Sequence, residues 1–312
     1  MGYRVAHLSD CHLGPLPPVH LADLASKRIL GFLNWQKNRA KSFDPAITDQ
    51  LVNDLKAQAP DHIAVTGDLV NIALDYEIER AGAFLRTLGH PDMVTVIPGN
   101  HDAYVPGALE RFNAACTPFL TSDGNNAAAT RDPYPVFRQR GSIRLIGVST
   151  AVATGPFMAT GAISDAQRTK LATDLVASAG LFRLVLIHHP PFANATPWHK
   201  RLRRAESLRA IFKSHGCELI LHGHTHLSSK AMIAGPDGKI PVFGVSSAAQ
   251  APSLNPSGGH KPAASYALYD ITEAGGGWTV RMTRRGYSHD ASTITDLKTE
   301  TLSVPHPSQS EI

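Results

Sequence analysis

The sequence is poor in cysteine, in charge and in long apolar runs, and each shortage excludes something. Its three cysteines, Cys11, Cys116 and Cys217, are odd in number and widely spaced. That excludes a disulfide framework and a Cys-x-x-Cys zinc site and favours a reducing compartment. No apolar run approaches the roughly 18 residues that a spanning helix needs. Strand-like sequence begins at Tyr3, which leaves no room for a signal peptide, and Ala6 stands where a myristoylation signal wants Ser or Thr. These absences lead us to expect a soluble, cytoplasmic protein. Charged residues make up 18%, and 30 Lys+Arg against 26 Asp+Glu leave a net charge of +4. No block of like charge and no aromatic–basic interleaving is present, so a nucleic-acid partner is not expected. A Gly-x-Ser-x-Gly nucleophile elbow is also missing.

What is present is enough to fold. With 312 residues and 43% apolar content, the chain can bury a substantial core. Short β-rich runs at 3–9, 62–66, 93–97, 143–149, 182–187 and 217–221 alternate with helical patterns at 44–58, 75–88, 164–179 and 203–214. Ser164 is a candidate N-cap for the third of these helices. After residue 226 the pattern becomes strands alone, at 229–234, 239–247, 265–271 and 278–286, with a Gly-Pro-Asp-Gly turn at 235–238. The alternation predicts a layered α/β architecture. Residues from Ser288 onward read as a poorly packed tail, and 252–262 as a Gly/Pro-rich loop. Between the first strand and the first regular helix, 13–41 form an insert. Leu21, Leu24, Ile29, Leu30, Phe32, Leu33 and Trp35 run through it, punctuated by Lys27, Arg28, Lys37 and Arg39. It reads first as an extra packed helix, second as a cap; contact with lipid is a less favoured third use.

Sixteen histidines are the unusual count. Five predicted strands end on oxygen or nitrogen donors: Asp10 and His12; Asp68; Asn100, His101 and Asp102; His188 and His189; His222, His224 and His226. Ligands in open α/β sheets sit outside the carboxyl ends of strands, and five such ends in order are hard to reach by chance. Two Asp, one Asn and four His drawn from these ends, without thiolates, suit Mn²⁺, Fe²⁺, Zn²⁺ or Co²⁺, and seven ligands suit two ions. In Asp-x-His and His-x-His, alternation along an extended strand would turn both donors to one side and Cys11 and Thr225 away. Gly67, Gly99 and Gly223 would let the backbone turn tightly beside the ions. His7 reads as a satisfied core residue, and His189 and His222 as neighbours of ligands. His20, His62, His90, His199, His215, His289 and His306 read as surface or loop residues. For His260, in the 252–262 loop, surface and substrate-facing readings are even. The basic run Trp198 to Arg204 reads as a solvated helix start.

In these residues the sequence resembles the calcineurin-like metallophosphoesterase superfamily. Asp-x-His, Gly-Asp, Gly-Asn-His-Asp, His and Gly-His-x-His occur in that order across roughly 3–287. The resemblance implies a four-layer α-β-β-α sandwich of two mixed sheets, spanning 1–287 with a tail at 288–312. It implies that Asp10, His12, Asp68 and His226 hold one divalent ion. Asp68 then bridges to a second ion, completed by Asn100, His188 and His224. His101 would be general acid or phosphoryl stabiliser, and Asp102 would orient it. The implied activity is a phosphodiesterase acting on a small anionic phosphoester, through a hydroxide held between the two ions. Asn71 replaces the tyrosine ligand of purple acid phosphatases, and Gly-Asp-Leu-Val-Asn departs from the protein Ser/Thr phosphatases. The text is closest to small bacterial class III cyclic-nucleotide and glycerophosphodiester phosphodiesterases. Alternatives are a pyrophosphatase acting on a lipid-linked or UDP-sugar diphosphate, and a non-catalytic scaffold, which would lack ligands that this chain has. A homo-oligomer stays open.

Overall fold

The structure is a computed structural model, and it describes residues 2–125, 132–252, 262–287 and 293–306. The strands are β1 (Tyr3–Leu8), β2 (His62–Val65), β3 (Val94–Val96), β4 (Val136–Arg140), β5 (Ile143–Val148), β6 (Phe182–Ile187), β7 (Leu219–His222), β8 (Ser229–Gly235), β9 (Gly238–Gly244), β10 (Ser265–Ala274), β11 (Gly277–Tyr287) and β12 (Ile294–Pro305). The helices are α1 (Arg28–Asn34), α2 (Ala40–Ser42), α3 (Pro45–Ala57), α4 (Asp75–Leu88), α5 (Ala108–Leu120), α6 (Asp165–Ala177) and α7 (Ala205–His215).

Two six-stranded mixed sheets form, in the orders β12-β11-β10-β1-β2-β3 and β4-β5-β6-β7-β9-β8. The alternation of side chains explains the layering. Val5 of β1 joins Leu184 and Leu186 of β6 and Leu219 and Leu221 of β7 in a core between the sheets. Ala6 and Leu8 point the other way, onto Leu51 and Leu55 of α3 and Leu85 of α4. On the second sheet Val185, Ile187 and Ile220 pack on Leu171 of α6 and Phe212 of α7. The result is helix, sheet, sheet, helix. β2 and β6 are buried along their whole length, as parallel strands covered on both faces must be. β1, β2 and β3 are mutually parallel, as are β5, β6, β7 and β9, so each set delivers its carboxyl ends to one edge of its sheet.

Local signals account for several boundaries. Asp44 caps α3 by accepting from the Ala46 amide, with Pro45 at the first helical position. Ser164 caps α6 by accepting from the Gln167 amide, as its position predicts. Helix α5 was not expected. Pro118 sits inside it and no side chain caps it, yet Phe112, Cys116 and Phe119 supply a buried helical stripe. Strand β4 escaped detection because its central Arg138 looks polar. That guanidinium is buried and donates to the carbonyls of Val94, Pro118 and Thr121.

The expected loose tail needs correcting. Residues 294–305 form β12, antiparallel to β11, with Trp278 opposite Val304 and Val280 opposite Leu302. An edge strand needs only one apolar face, and the Thr, Glu and Lys on the other made it read as polar tail. The insert is also not a plain packed helix. No residue of α1 or of the π-helical segment Trp35–Arg39 is fully buried, although Phe32 and Trp35 lean on the first core. Among the described residues no helix is long and apolar enough to cross a membrane. The 252–262 loop and His260 fall mostly outside the described residues, as does His289.

Candidate metal centre

The donors converge, but not by strand alternation. Asp10 and His12 lie beyond the end of β1 with φ of 54° and 38°, Asp68 beyond β2 with φ 55°, and His224 and His226 beyond β7 with φ 68° and 56°. Five of the seven candidate ligands therefore occupy left-handed backbone, which costs a non-glycine residue of order 1–3 kcal/mol and concentrates at functional sites. Cys11 is turned away into the first core. Of the three glycines expected to turn tightly here, only Gly67 is left-handed, with φ 90°. Gly99 and Gly223 serve close approach, since a Cβ on either would run into the carboxylate of Asp68 or Asp10.

Two groups result. One ligand atom each from Asp10, His12, Asp68 and His226 lie within 4.8 Å of one another, and so do atoms of Asp68, His188 and His224. Asp68 is common to both. Asn100 joins the second group, with Oδ1 2.8 Å from Nδ1 of His224 and 3.3 Å from Nε2 of His188. The structure thus brings together all seven residues singled out from the sequence.

Hydrogen bonds to backbone carbonyls fix the histidine rings. A ring nitrogen facing a carbonyl oxygen must carry the proton, which leaves a lone pair on the other nitrogen of a neutral ring. His12 Nδ1 lies 3.1 Å from the Val70 carbonyl, His188 Nδ1 2.6 Å from that of Thr66, and His224 Nε2 2.8 Å from that of Lys200. The opposite nitrogens converge on the carboxylate of Asp68, on Asn100 and on His226. Nε2 of His12 is 3.2 Å from Nε2 of His226 and 4.0 Å from Oδ2 of Asp68. Nε2 of His188 is 3.3 Å from the same oxygen. Asp10 Oδ1 is buried 3.2 Å from Nε2 of His226 and has no well-formed hydrogen bond.

The charges agree with this geometry. Burial works against ionisation of Asp10, but His226 and His188 hold its carboxyl below the usual range. Burial opposes Asp68 too, and His188, His101 and His12 hold it well below. Burial pushes His12 well down, helped by Arg39 and His101, and does the same to His224, helped by His189 and His188. Against burial, Asp68 raises His188 to about 9, so in the bare site a proton there offsets part of the negative charge. Two buried carboxylates and a ring of nitrogen lone pairs, without a thiolate, fit borderline divalent cations, and carbonyl-anchored imidazoles are how such ligands are oriented.

Other expectations fare unevenly. His7 is buried and bonded to Thr66 Oγ1 at 2.8 Å, although its Nδ1 has no partner. His189 is buried between Thr150 Oγ1 and the Ala159 carbonyl, and His222 is buried beside Gly223 and Ser229. His62 is a correction: it is buried in β2 and bonded to Thr95 Oγ1 at 2.9 Å. Asp102 is another. Its carboxylate does not meet the His101 ring but accepts the backbone amides of Asp68, Leu69, Val70 and Gly99. Burial and the Asp68 carboxylate push its pKa up to about 7 against those donors. Asp102 therefore holds the loop that carries Asp68. Glu77, not singled out from the sequence, does the same one turn on, accepting the amides of Asn71, Ile72 and Leu74. Its signal was present: a glutamate at the third position of a helix, where a capping box puts it.

Comparison with known proteins identifies the family. A family model described as calcineurin-like phosphoesterase matches residues 3–228. That match stops short of residue 287, before the strands that complete the first sheet. Over 187 residues the chain is 28% identical to glycerophosphodiester phosphodiesterase GpdQ of Enterobacter lignolyticus (strain SCF1), a match covering 60% of this chain and 56% of that protein. The match thus spans little more than half the length of that relative. A solved purple acid phosphatase, PPD1 from yellow lupin (Lupinus luteus) seeds, resembles 97% of this chain over 54% of its own, with a TM-score of 0.58 and 14% identity. That likeness is one of fold: two mixed sheets flanked by helices. Because the family match spans well over half of the sequence and takes in every motif that converges on Asp68, the chain belongs to the calcineurin-like phosphoesterase family.

Proposed function

We propose that the protein is a metal-dependent phosphodiesterase that hydrolyses a small phosphodiester. The observation that supports it most is the set of carbonyl-anchored imidazoles of His12, His188 and His224, whose other nitrogens converge on Asp68, Asn100 and His226. Two divalent ions bound there would supply Lewis acidity toward phosphoryl oxygens and a lowered pKa for water. The chain's own contribution is positional. Asp10, His12, Asp68 and His226 would form one seat, and Asp68, Asn100, His188 and His224 the other. Asp68 Oδ1 accepts the His101 amide at 2.7 Å, which fixes the carboxylate between the two groups. The similarity to a glycerophosphodiester phosphodiesterase supports a diester over a monoester. The three cysteines are free and buried, which fits a cytoplasmic protein.

After loading with Mn²⁺, Fe²⁺, Zn²⁺ or Co²⁺, the protein should hydrolyse bis(p-nitrophenyl) phosphate, and Asn100→Ala should lose one ion and most of the rate. No turnover with any of the four metals would refute the proposal. Cyclic nucleotides, glycerophosphodiesters, UDP-sugars and phosphomonoesters assayed side by side would define the substrate. A second reading, hydrolysis of a lipid-linked diphosphate, draws support from exposed apolar side chains near the mouth. Ile29 and Leu33 lie one turn apart on α1 and are 47% and 54% exposed, while Phe157 and Trp198 are 82% and 68% exposed. Lys27 ties the start of α1 to Thr154 and Met158, next to Phe157. Co-sedimentation with anionic liposomes, abolished in Ile29→Ser/Leu33→Ser, would favour it; no sedimentation would count against it.

A further inference from the structure

The insert brings one cation to the centre that the family motifs do not include. Arg39 closes the π-helical segment that follows α1, a form of turn often found at functional sites. Its Nη2 lies 2.9 Å from Nε2 of His101. Its guanidinium lies over the ring of Phe43, which in turn stacks on His12 at 5.2 Å between centroids. The segment is held from both sides of the mouth. Arg28 donates to the carbonyls of Ile72 and Ala73, and Lys27 donates to Thr154 and Met158 while lying over the Tyr104 ring. Arg39 is half-buried, yet among the described residues no carboxylate lies within ion-pair distance of it.

His101 explains how it is aimed. Its Nδ1 lies 2.5 Å from the Asn71 carbonyl and so carries the proton, which leaves Nε2 as an acceptor for Arg39. Here the imidazole has the same carbonyl anchoring as His12, His188 and His224, but its lone pair meets a guanidinium. Both ring nitrogens are occupied, and neither offers a free N–H to a phosphoryl oxygen. The nearby Asp10 and Asp68 would be neutralised by the ions they are suited to hold, and Arg39 would then be a cation without an anion at the mouth of a cationic seat. A guanidinium presents five donors in a planar fork, and His101 uses only part of it.

We propose that Arg39 is the group that grips a non-bridging oxygen of the substrate phosphoryl group, and that His101 is the positioning residue that aims it. This rests on the phosphoesterase reading, and its test is separable from turnover. Inorganic phosphate would be titrated calorimetrically into Mn²⁺-loaded full-length protein, as wild type, Arg39→Ala, Arg39→Lys, His101→Ala and the double variant Arg39→Ala/His101→Ala. A lost charged hydrogen bond predicts phosphate binding weaker by about ten- to hundredfold in Arg39→Ala, with an unchanged melting temperature. Arg39→Lys, which keeps charge and stem, should recover part of the affinity and serves as the folded control. His101→Ala should weaken binding less, and the double variant should bind no worse than Arg39→Ala alone. With bis(p-nitrophenyl) phosphate, added guanidinium at concentrations that leave the wild type unchanged should restore part of the Arg39→Ala rate, which a merely structural arginine would not allow. Phosphate affinity in folded Arg39→Ala within about twofold of wild type, or no measurable phosphate binding by wild type, would overturn the proposal. Additive losses would overturn the positioning role of His101. Phosphate binding that depends on Arg39 without diester turnover would instead count against the phosphodiesterase reading alone.

Discussion

Strands β6 and β7 carry buried charge at both ends, and the two ends are built on opposite principles. At their amino ends, Arg183 and Glu218 form a pair with 2% and 3% of their side chains exposed. Every nitrogen of the guanidinium is engaged: Glu218 takes Nε, Nη2 and the backbone amide of Arg183, and Arg183 Nη1 goes to the carbonyls of Leu175 and His215. Against the desolvation of burial, Glu218 raises the pKa of Arg183. At the carboxyl ends, a single proton on His188 faces Asp68, His224 turns a lone pair toward Asn100 Oδ1, and Asp10 Oδ1 is left without a well-formed bond. The first cluster is complete without help; the second is complete only with added positive charge. A buried charge that the fold satisfies itself is structure, and one left unmatched, on strained backbone, is a seat for something else.

The largest expected effect is at the self-sufficient end. Glu218→Ala leaves a guanidinium buried without its partner and should cost about 3–5 kcal/mol in urea unfolding, with metal content unchanged. A loss below about 1 kcal/mol would mean that the pair is not the closed unit described. Chelation comes next. If the seats bind ions, metal at about 100 times its Kd should add about 2.7 kcal/mol of stability, and a chelator should lower the melting temperature correspondingly. No change on chelation would erase the contrast between the ends. The smallest effect is Asp68→Asn in chelated protein. It keeps an acceptor for the His101 amide but removes the charge that His188 faces in the bare site, so apo stability should fall by about 1 kcal/mol, well short of the Glu218→Ala loss, while the metal-dependent gain disappears. Strong destabilisation of the chelated variant would make Asp68 a structural charge like Glu218.

Much of this was legible in the sequence where chemistry and position coincide. The seven donors stand at strand ends in order, so reading strands well enough to find their ends was sufficient to collect Asp10, His12, Asp68, Asn100, His188, His224 and His226. Which way each side chain turns was not legible, because the donors converge through left-handed backbone and not through strand alternation. Residues acting through the backbone were misread or passed over, because the amides they hold are not visible in side-chain chemistry. Asp102 sits beside His101 in the chain but bonds four amides, and Glu77 looks like an ordinary residue of α4. Arg39 is noticeable in the sequence only as one charge among several in the insert. Its approach to His101, 62 positions away, depends on a single wide turn of helix. Strand β12 was missed because an edge strand tolerates charge on one face, and β4 because its buried Arg138 reads as polar.

The central claim is that the cluster around Asp68 is built to hold two cations. The most direct test is elemental analysis of purified protein equilibrated with Mn²⁺ and desalted, for the wild type and for Asp68→Asn. About two ions per chain in the wild type, and none retained in the variant that loses the shared ligand, is the predicted result. A wild type that retains no metal, or a variant that retains as much as the wild type, would contradict it.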